Sequence, residues 1–400
     1  MRIAQWFIGL SLGAFVLAAC SSNSGSTSAI LQDPWGTIRI QPDESIRIAV
    51  VSPSGSDLLP SEAQEVVRGV TLAAERRGLV RGYTVELVDF DSGCNAADAA
   101  DAASAIADDP KIVGAVGFYC SDACQAAGPI LDAAHVMLLS PGCSASALTD
   151  EVTHSDAFLR TMYPDSREGM TAAQFAYNEL GARRAYVVSD GSLSADGLIQ
   201  AFETEFLDLG GVIIREARVA GNQIHFGEAL INVQQTRPDV IYAPLLTRTS
   251  ARFVGDLHTT SLEQIPYIGG RFSWTTLFIQ EADVGDATNV YTAGPLPPQE
   301  TYSDLTDAYV QQFSSSPTSA TFAFAYDAMN LLFRGIENSS EVDHQSLVIG
   351  RQALRNALYK TAGYSAATGP LTCTEWGDCS AGGVAVAQLR GNQWQVVYVP

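Results

Sequence analysis

The chain has 400 residues, with 44 Asp and Glu against 23 Lys and Arg, and its net charge is -21 at pH 7. Such acidity argues against binding to nucleic acid and against attachment to anionic lipid through a basic surface. Hydrophobic residues make up 46% of the chain, which is enough for a full core. The length favours two domains over one.

An apolar run over residues 3–19 follows Arg2 and ends at Leu17-Ala18-Ala19-Cys20. This pattern is typical of a secretory signal, and the run is too short for a membrane span. The tetrapeptide resembles the lipobox of bacterial lipoproteins, which implies that Cys20 becomes an N-terminus carrying two or more acyl chains, enough for stable anchoring. The alternative is a cleaved signal with an incidental cysteine. We predict a lipoprotein signal peptide over 1–19 and a Ser-rich tether over 20–43.

Strands and helices alternate from residue 46 onward. The pattern predicts strands near 46–51, 83–88, 112–116 and 136–139, separated by helices over 61–77, 95–107 and 121–134. The strand at 112–116 is apolar throughout, as expected when helices cover both faces of a parallel sheet. Ser61 with Gln64 indicates a capping box at the first helix.

A second series of the same kind begins after residue 161. A helix over 166–180 follows Asp165 and Glu168, which we interpret as a second capping box. Further strands are predicted near 184–188, 212–214, 240–243 and 267–268, with helices over 194–209, 225–235 and 248–257. Helices dominate 301–359, and strands end the chain near 383–389 and 394–399. The repeated order predicts an α/β fold with two doubly wound lobes.

Besides Cys20, the cysteines form an even set: Cys94, Cys120, Cys124, Cys143, Cys373 and Cys379. In an exported chain this favours three disulfides, with the connectivity open. A zinc site at Cys120 and Cys124 is the alternative, but no histidine pair or second close cysteine pair accompanies it at ligand spacing. We therefore expect no metal.

Motifs of catalysis are not found in the sequence. There is no G-x-S-x-G, G-x-x-x-x-G-K-[ST] or H-E-x-x-H pattern, and no G-x-G-x-x-G follows a strand. The histidines are scattered along the chain. We expect neither an enzyme nor a cofactor.

Several segments match a known family in its own order along the chain: residues 46–51, 91–94, 119–121, 137–141, 158–161 and 369–372. With them the chain resembles the type I periplasmic binding proteins of the branched-chain amino acid class, the substrate-binding components of ABC importers. The resemblance implies lobes joined by three crossovers, near 161–164, 292–297 and 366–370. The N-terminal lobe would hold 44–161 plus 298–366, and the C-terminal lobe 162–297 plus 367–400.

The resemblance also implies a ligand site between the lobes. Its carboxylate contacts fall on Ser121 and Ser144, with a backbone amide at Gly142 and with Tyr119 in the same segment. Ligands of open α/β sheets lie at the carboxyl ends of strands, where helix N-termini offer free N–H groups. The alternative for Ser121 is a plain N-cap.

The family pattern also bears on the cysteines. The resemblance implies a disulfide between Cys94 and Cys120. The other four cysteines are not part of the common pattern. A Cys124 to Cys143 bond would join loops after neighbouring strands, and a Cys373 to Cys379 bond would close a small turn, but both pairings stay open.

The second lobe departs from the family pattern. The carboxylate that grips the ligand ammonium falls on Arg271, and two aromatic positions fall on Leu246 and Ser194. An arginine about 4 Å from an ammonium costs on the order of 4 kcal/mol at an effective dielectric of about 20. We therefore expect a ligand with a second anionic group, or one without the α-amino group. The alternative is that Arg271 points to solvent or pairs with Asp190 or Asp196.

These inferences predict an extracytoplasmic solute-binding lipoprotein of an ABC importer that binds a small amino-acid-like or anionic solute. Its partners would be that solute and the ABC permease subunits, and a lipid anchor alone would attach the monomeric chain to the membrane. The alternative is a sensor or regulatory lipoprotein of the same fold that binds a protein partner.

Overall fold

A computed structural model of the protein describes residues 28–57, 59–285, 288–380 and 382–400. The predicted signal peptide and Cys20 lie outside these residues. Within these ranges, no helix combines the length and the apolar character needed to cross a bilayer.

The elements follow one another in the alternating order expected from the sequence. The strands are β1 (Thr37–Ile40), β2 (Ile46–Ser52), β3 (Val85–Asp91), β4 (Ile112–Gly117), β5 (Met137–Ser140), β6 (Phe158–Arg160), β7 (Arg184–Ser189), β8 (Val212–Arg218), β9 (Val240–Tyr242), β10 (Tyr267–Gly269), β11 (Val290–Leu296), β12 (Ser340–Asp343), β13 (Ser346–Gly350), β14 (Gly383–Arg390) and β15 (Gln393–Tyr398). The helices are α1 (Pro60–Arg77), α2 (Ala96–Ala107), α3 (Ser121–Ala133), α4 (Asp165–Gln174), α5 (Leu193–Asp208), α6 (Gly227–Thr236), α7 (Thr247–His258), α8 (Thr276–Ala282), α9 (Gln299–Phe313), α10 (Thr321–Asn338) and α11 (Arg351–Tyr359).

Two sheets organise the molecule into an N-lobe and a C-lobe. The N-lobe sheet has the order β3-β2-β4-β5-β6 and is parallel throughout. The C-lobe sheet has the order β15-β14-β11-β10-β9-β7-β8, and its last two strands along the chain, β14 and β15, run antiparallel to their neighbours. The doubly wound α/β fold predicted from the sequence is confirmed.

Strand β2 shows why the apolar runs form buried parallel strands. Ile48 and Val50 belong to the core on one face of the N-lobe sheet. Ala49 and Val51 belong to the core on the other face. Because side chains alternate across a strand, the part of a strand that is covered on both faces, here 48–51, is apolar at successive positions.

The third connection between the lobes lies later in the chain than the sequence analysis placed it. Leu371 and Cys379 pack in the N-lobe core. Cys379 N donates to Arg160 O at 3.0 Å, and the isolated bridge between Arg160 and Asp378 runs beside β6. After this segment, the chain returns to the C-lobe sheet at β14. The expected boundary at 366–370 was wrong because the segment around the Cys373–Cys379 disulfide extends the edge of the N-lobe.

Part of the predicted tether is bound to the N-lobe. Strand β1 pairs antiparallel with β13, and its Ile38 and Ile40 are buried. The Asp33 carboxylate accepts the N–H groups of Gln352 (3.0 Å) and Ala353 (2.8 Å) at the start of α11. The hairpin of β12 and β13 interrupts the segment that the sequence analysis expected to be mostly helical. Among the described residues, these short strands pair with each other and with β1, so the local hydrophobic pattern gave little indication of them.

The predicted capping box of α1 is not formed. The helix begins at Pro60, and its N-cap Leu59 offers no side-chain acceptor. Ser61 instead donates to the carboxylate of Glu62 at 2.8 Å. Proline at the first helical position replaces the cap, because the N–H it lacks would have had no partner in the helix.

Candidate functional site

The lobes meet in direct contact at the carboxyl ends of their strands. Hydrogen bonds across the contact run from Leu193 N to Asp122 Oδ2 (3.1 Å), from Thr247 Oγ1 to Glu62 Oε1 (2.7 Å) and from Arg248 Nη1 to Asp57 O (2.6 Å). Apolar side chains of the C-lobe pack on the N-lobe core, namely Phe272, Leu193 and Leu246. The structure is therefore that of a closed pair of lobes.

Arg271 lies at the centre of this contact, directly after β10, and its side chain is almost fully buried at 3% exposure. Its Nη1 lies 3.5 Å from Asp165 Oδ1 and 3.4 Å from Glu168 Oε2. Its Nη2 donates to Ser144 Oγ at 2.5 Å and to Ser194 Oγ at 3.0 Å. Ser144 belongs to the N-lobe and the other partners to the C-lobe. One guanidinium thus joins both lobes.

The two carboxylates hold Arg271 in its charged form. Burial alone would lower the pKa of Arg271, but the charges of Glu168 and Asp165 raise that pKa above its ordinary value. Burial raises the pKa of Asp165 to about 6, against the opposing attraction of Arg271. Glu168 also accepts the N–H of Arg271 at 2.8 Å and the hydroxyl of Tyr163 at 2.9 Å. Both carboxylates are therefore part of the site.

Asp165 and Glu168 were misinterpreted as a capping box in the sequence analysis. No side chain caps α4, which begins at Asp165 after Pro164. The alternative partners considered for Arg271 are engaged elsewhere: Asp196 pairs with Arg218 at 3.1 Å, and Asp190 accepts from Ser192. The sequence did contain an indication of this site. It was a pair of carboxylates three residues apart, immediately after a connection between the lobes.

Ser121 shapes the loop that carries Ser144. Its Oγ accepts the N–H groups of Ser144 and Ala145, both at 3.1 Å. Arg160 donates to the carbonyls of the same two residues, at 3.0 and 2.9 Å. Ser121 is the first residue of α3, after the N-cap Cys120, and it is buried. Ser121 therefore lies behind this loop and stabilises its conformation.

Gly142 and Tyr119 are packed against each other. A Cβ at Gly142 would lie 2.2 Å from Tyr119 Cδ2, so only glycine fits beside the ring. The Tyr119 hydroxyl is hydrogen-bonded to Thr321 Oγ1 at 3.0 Å. Burial, with the charge of Glu62 as the next cause, raises the pKa of Tyr119, which keeps the hydroxyl neutral.

The candidate residues therefore fall into three groups. Ser144, Ser194 and Arg271 are in mutual contact, with 3.4 Å between the two hydroxyl oxygens. Ser121, Gly142 and Tyr119 form the layer behind Ser144. Leu246 lies apart, before α7, in the apolar contact between the lobes.

A cavity of about 450 Å³ lies beside Arg271, with walls from both lobes. We call it the interlobe cavity; its principal lining residues are Glu62, Tyr119, Arg271, Trp274, Tyr302, Thr321 and Trp394. Gly294 makes room for one wall, because a Cβ there would lie 2.8 Å from Trp274 Cε3. The volume is within the range of small-molecule sites, which bury most of the surface of their ligand.

A protein family described as "Periplasmic binding protein" matches residues 45–393. The chain belongs to this family. Among curated relatives, it is 22% identical to the Leu/Ile/Val-binding protein of Escherichia coli over 232 residues, which cover 58% of this chain and 59% of the relative. The chain thus spans about half the length of the curated relatives it matches, between 44% and 60%.

Solved structures of the family share the whole fold. The branched-chain amino acid transporter substrate binding protein of Streptococcus pneumoniae, in complex with isoleucine, has a TM-score of 0.79 at 20% identity, covering 89% of this chain and 100% of that one. The solute binding protein of an ABC transporter from R. palustris, in complex with benzoate, has a TM-score of 0.78 at 17% identity, covering 89% and 96%. The fold is the type I periplasmic binding protein fold, and the resemblance stated from the sequence is confirmed.

This family member has three disulfides in the described part of the chain. They join Cys94 to Cys120, Cys124 to Cys143 and Cys373 to Cys379, with Cα separations of 5.4, 6.3 and 3.8 Å. The first joins the loop after β3 to Cys120, the N-cap residue of α3, and the second joins the first turn of α3 to the loop after β5. The loop that carries Ser144 is therefore covalently tied to the first turn of α3, which follows the segment that carries Tyr119.

Trp274, Trp394 and Glu62 were not identified as site residues from the sequence. Trp274 follows Arg271 by three residues, which was a weak signal. Trp394 reaches the cavity from β15, and its Nε1 donates to Thr275 O at 3.4 Å. Only the fold brings these distant segments together.

Proposed function

We propose that the chain is the extracytoplasmic solute-binding component of an ABC importer, and that a small amino-acid-like or anionic solute binds in the interlobe cavity. The observation that carries the proposal is this cavity, of about 450 Å³, lined by residues of two hydrogen-bonded lobes. Hinged closure of two lobes around a small molecule is an established way to bind a solute for transport.

Of the two solute classes, the amino-acid-like one is better supported. The repulsion expected between Arg271 and a ligand ammonium applies to an unpaired arginine. Arg271 lies within 3.5 Å of two buried carboxylates, Asp165 and Glu168, which offset its charge. An ammonium group in the cavity is therefore compatible with Arg271. The relatives named above as Leu/Ile/Val-binding and as an isoleucine complex agree with this class.

The proposal is tested by titrating the purified chain with a panel of neutral amino acids, amines, dicarboxylates, amides and aromatic carboxylates. A solute at about 100 times its Kd stabilises the folded state by about 2.7 kcal/mol, which thermal melting resolves and calorimetry confirms. Trp274→Ala, which removes one wall of the cavity, should abolish the shift. If no solute raises the melting temperature while a protein partner does, the protein is a sensor or regulator instead.

We also propose binding without catalysis, docking on ABC permease subunits, and a membrane anchor at Cys20. The lipid anchor is tested by fractionating cells that express the chain and a Cys20→Ser variant after labelling with radioactive palmitate. The wild type should carry the label and sediment with membranes. Equal recovery of unlabelled wild type and variant in the soluble fraction would contradict the anchor.

A further inference from the structure

We propose that Glu62 is the recognition residue for a cationic group, so that the ammonium of the solute binds at Glu62 and its apolar body lies against Trp274 and Trp394. The inference rests on the proposed function, since it names the solute class and the subsite within the same cavity. It assigns to Glu62 a role that the family resemblance places on position 271.

The carboxylate of Glu62 is buried at 1% exposure, and within the described part of the chain its side-chain hydrogen-bond partners are two neutral hydroxyls. Oε1 accepts from Thr247 and Oε2 accepts from Ser61, at 2.7 and 2.8 Å. A carboxylate has about four acceptor positions, so about half of them stay available. Burial raises the pKa of Glu62, as expected for a carboxylate whose charge lacks a matching cation.

The charges around the cavity favour a cation. Arg271 is the other charged residue in its lining, and it is engaged by Asp165 and Glu168. When all are ionised, Glu62, Asp165 and Glu168 carry three negative charges, and Arg271 carries one positive charge. An anionic solute would increase this excess of negative charge, whereas an ammonium group would reduce it.

The walls suit an ammonium attached to an apolar or planar body. Trp274 and Trp394 line the C-lobe side, and Tyr119 and Tyr302 line the N-lobe side. The faces of aromatic rings attract cations and also bury apolar surface. A charged group recognised by Glu62 would leave the rest of the solute in contact with these rings.

The test is calorimetry on the purified chain with amines of increasing size (methylammonium, isobutylamine, phenethylamine) and their matched acids (acetate, isovalerate, 3-phenylpropionate). We expect at least one amine to bind about tenfold tighter than its matched acid. The Glu62→Gln substitution should lower the affinity for that amine by about tenfold or more. Asp327→Asn is the control: Asp327 is a buried carboxylate of α10 that accepts from Ala367 and Thr368, which do not line the cavity, so the change should alter affinity by less than about threefold.

Three results would overturn the inference: acids that bind more tightly than their matched amines, absence of binding by every amine, or amine binding that Glu62→Gln leaves unchanged. In each case the proposed function stands if another solute of the larger panel raises the melting temperature. If no solute of either panel does, the solute-binding proposal itself fails.

Discussion

Arg271 of the C-lobe donates a hydrogen bond of 2.5 Å to the hydroxyl of Ser144 in the N-lobe. The same nitrogen donates to Ser194, while the other terminal nitrogen faces Asp165 and Glu168. The position on which the family resemblance places a ligand-binding carboxylate is thus occupied by an arginine whose charge Asp165 and Glu168 offset. The predictions below follow from this arrangement and from the loop that holds Ser144.

Replacing Arg271 should destabilise the protein strongly. Arg271→Met leaves two buried carboxylates without a cation, which typically costs about 3–5 kcal/mol. Urea denaturation at pH 7 measures the loss. The triple variant Arg271→Met, Asp165→Asn, Glu168→Gln should recover most of it, because no unpaired buried charge remains. A single variant as stable as the wild type would show that Arg271 is not ionically paired.

Asp165 should make the protein less stable as the pH rises from about 4 to about 6. Its pKa is raised to about 6 in the folded state from an ordinary value of 3.8, so the folded state binds more protons in this window. The difference in pKa corresponds to about 3 kcal/mol.

The measurement is the free energy of unfolding of the wild type and of Asp165→Asn, compared at pH 4 and pH 7. The free energy of unfolding of the wild type, relative to that of the variant, should decrease from pH 4 to pH 7. Asp327, whose pKa burial also raises to about 6, is present in both proteins and cancels in the comparison. Parallel pH profiles would contradict the assignment.

Removal of the Cys124–Cys143 disulfide should cost more than removal of Cys373–Cys379. The separations are 19 and 6 residues, and loop entropy gives about 3 and about 2 kcal/mol respectively. The two double Cys→Ala variants are compared by urea denaturation, with peptide mapping of the remaining bonds. The first should also weaken solute binding, since it frees the loop of Ser144. A reversed order of stability would contradict this prediction.

Gly142→Ala should displace Tyr119 and destabilise the fold. The new Cβ would lie 2.2 Å from the Tyr119 ring, and overpacking of this kind costs about 1–3 kcal/mol. Gly128→Ala in α3 is the matched control. Its Cβ would meet its nearest neighbour, Ser155 Cβ, at 3.6 Å, an ordinary contact, and alanine favours the helix by about 1 kcal/mol. Thermal melting that ranks the two variants in the opposite order would refute the close contact.

The sequence alone was sufficient to predict the strands and helices in which the local hydrophobic pattern agrees with the observed burial. Strand β2 and helix α1 lie close to their predicted bounds because an apolar strand and an amphipathic helix have different periods. The two doubly wound lobes were predicted from the order of such segments, and the type I fold from the family resemblance. The third connection was misplaced, since Leu371 and Cys379 join the N-lobe through contacts that no short pattern contains.

The site was harder to predict than the fold. Asp165 and Glu168 at a helix start fit both a cap and a buried ion pair, and the deciding partner of Asp165 lies 106 residues later in the chain. Ser144, Ser194 and Arg271 were identified through the family resemblance, and the structure places them in contact. The cavity walls combine Glu62 with Trp394 from the end of the chain, which no spacing rule connects.

Native mass spectrometry of the chain, taken directly from purification without added solute, tests the central claim that the interlobe cavity binds a small solute. The account predicts a species heavier by one small molecule, which disappears after unfolding and refolding and is not found with Trp274→Ala. A bare mass for the wild type directly after purification, identical to the refolded sample, would contradict it.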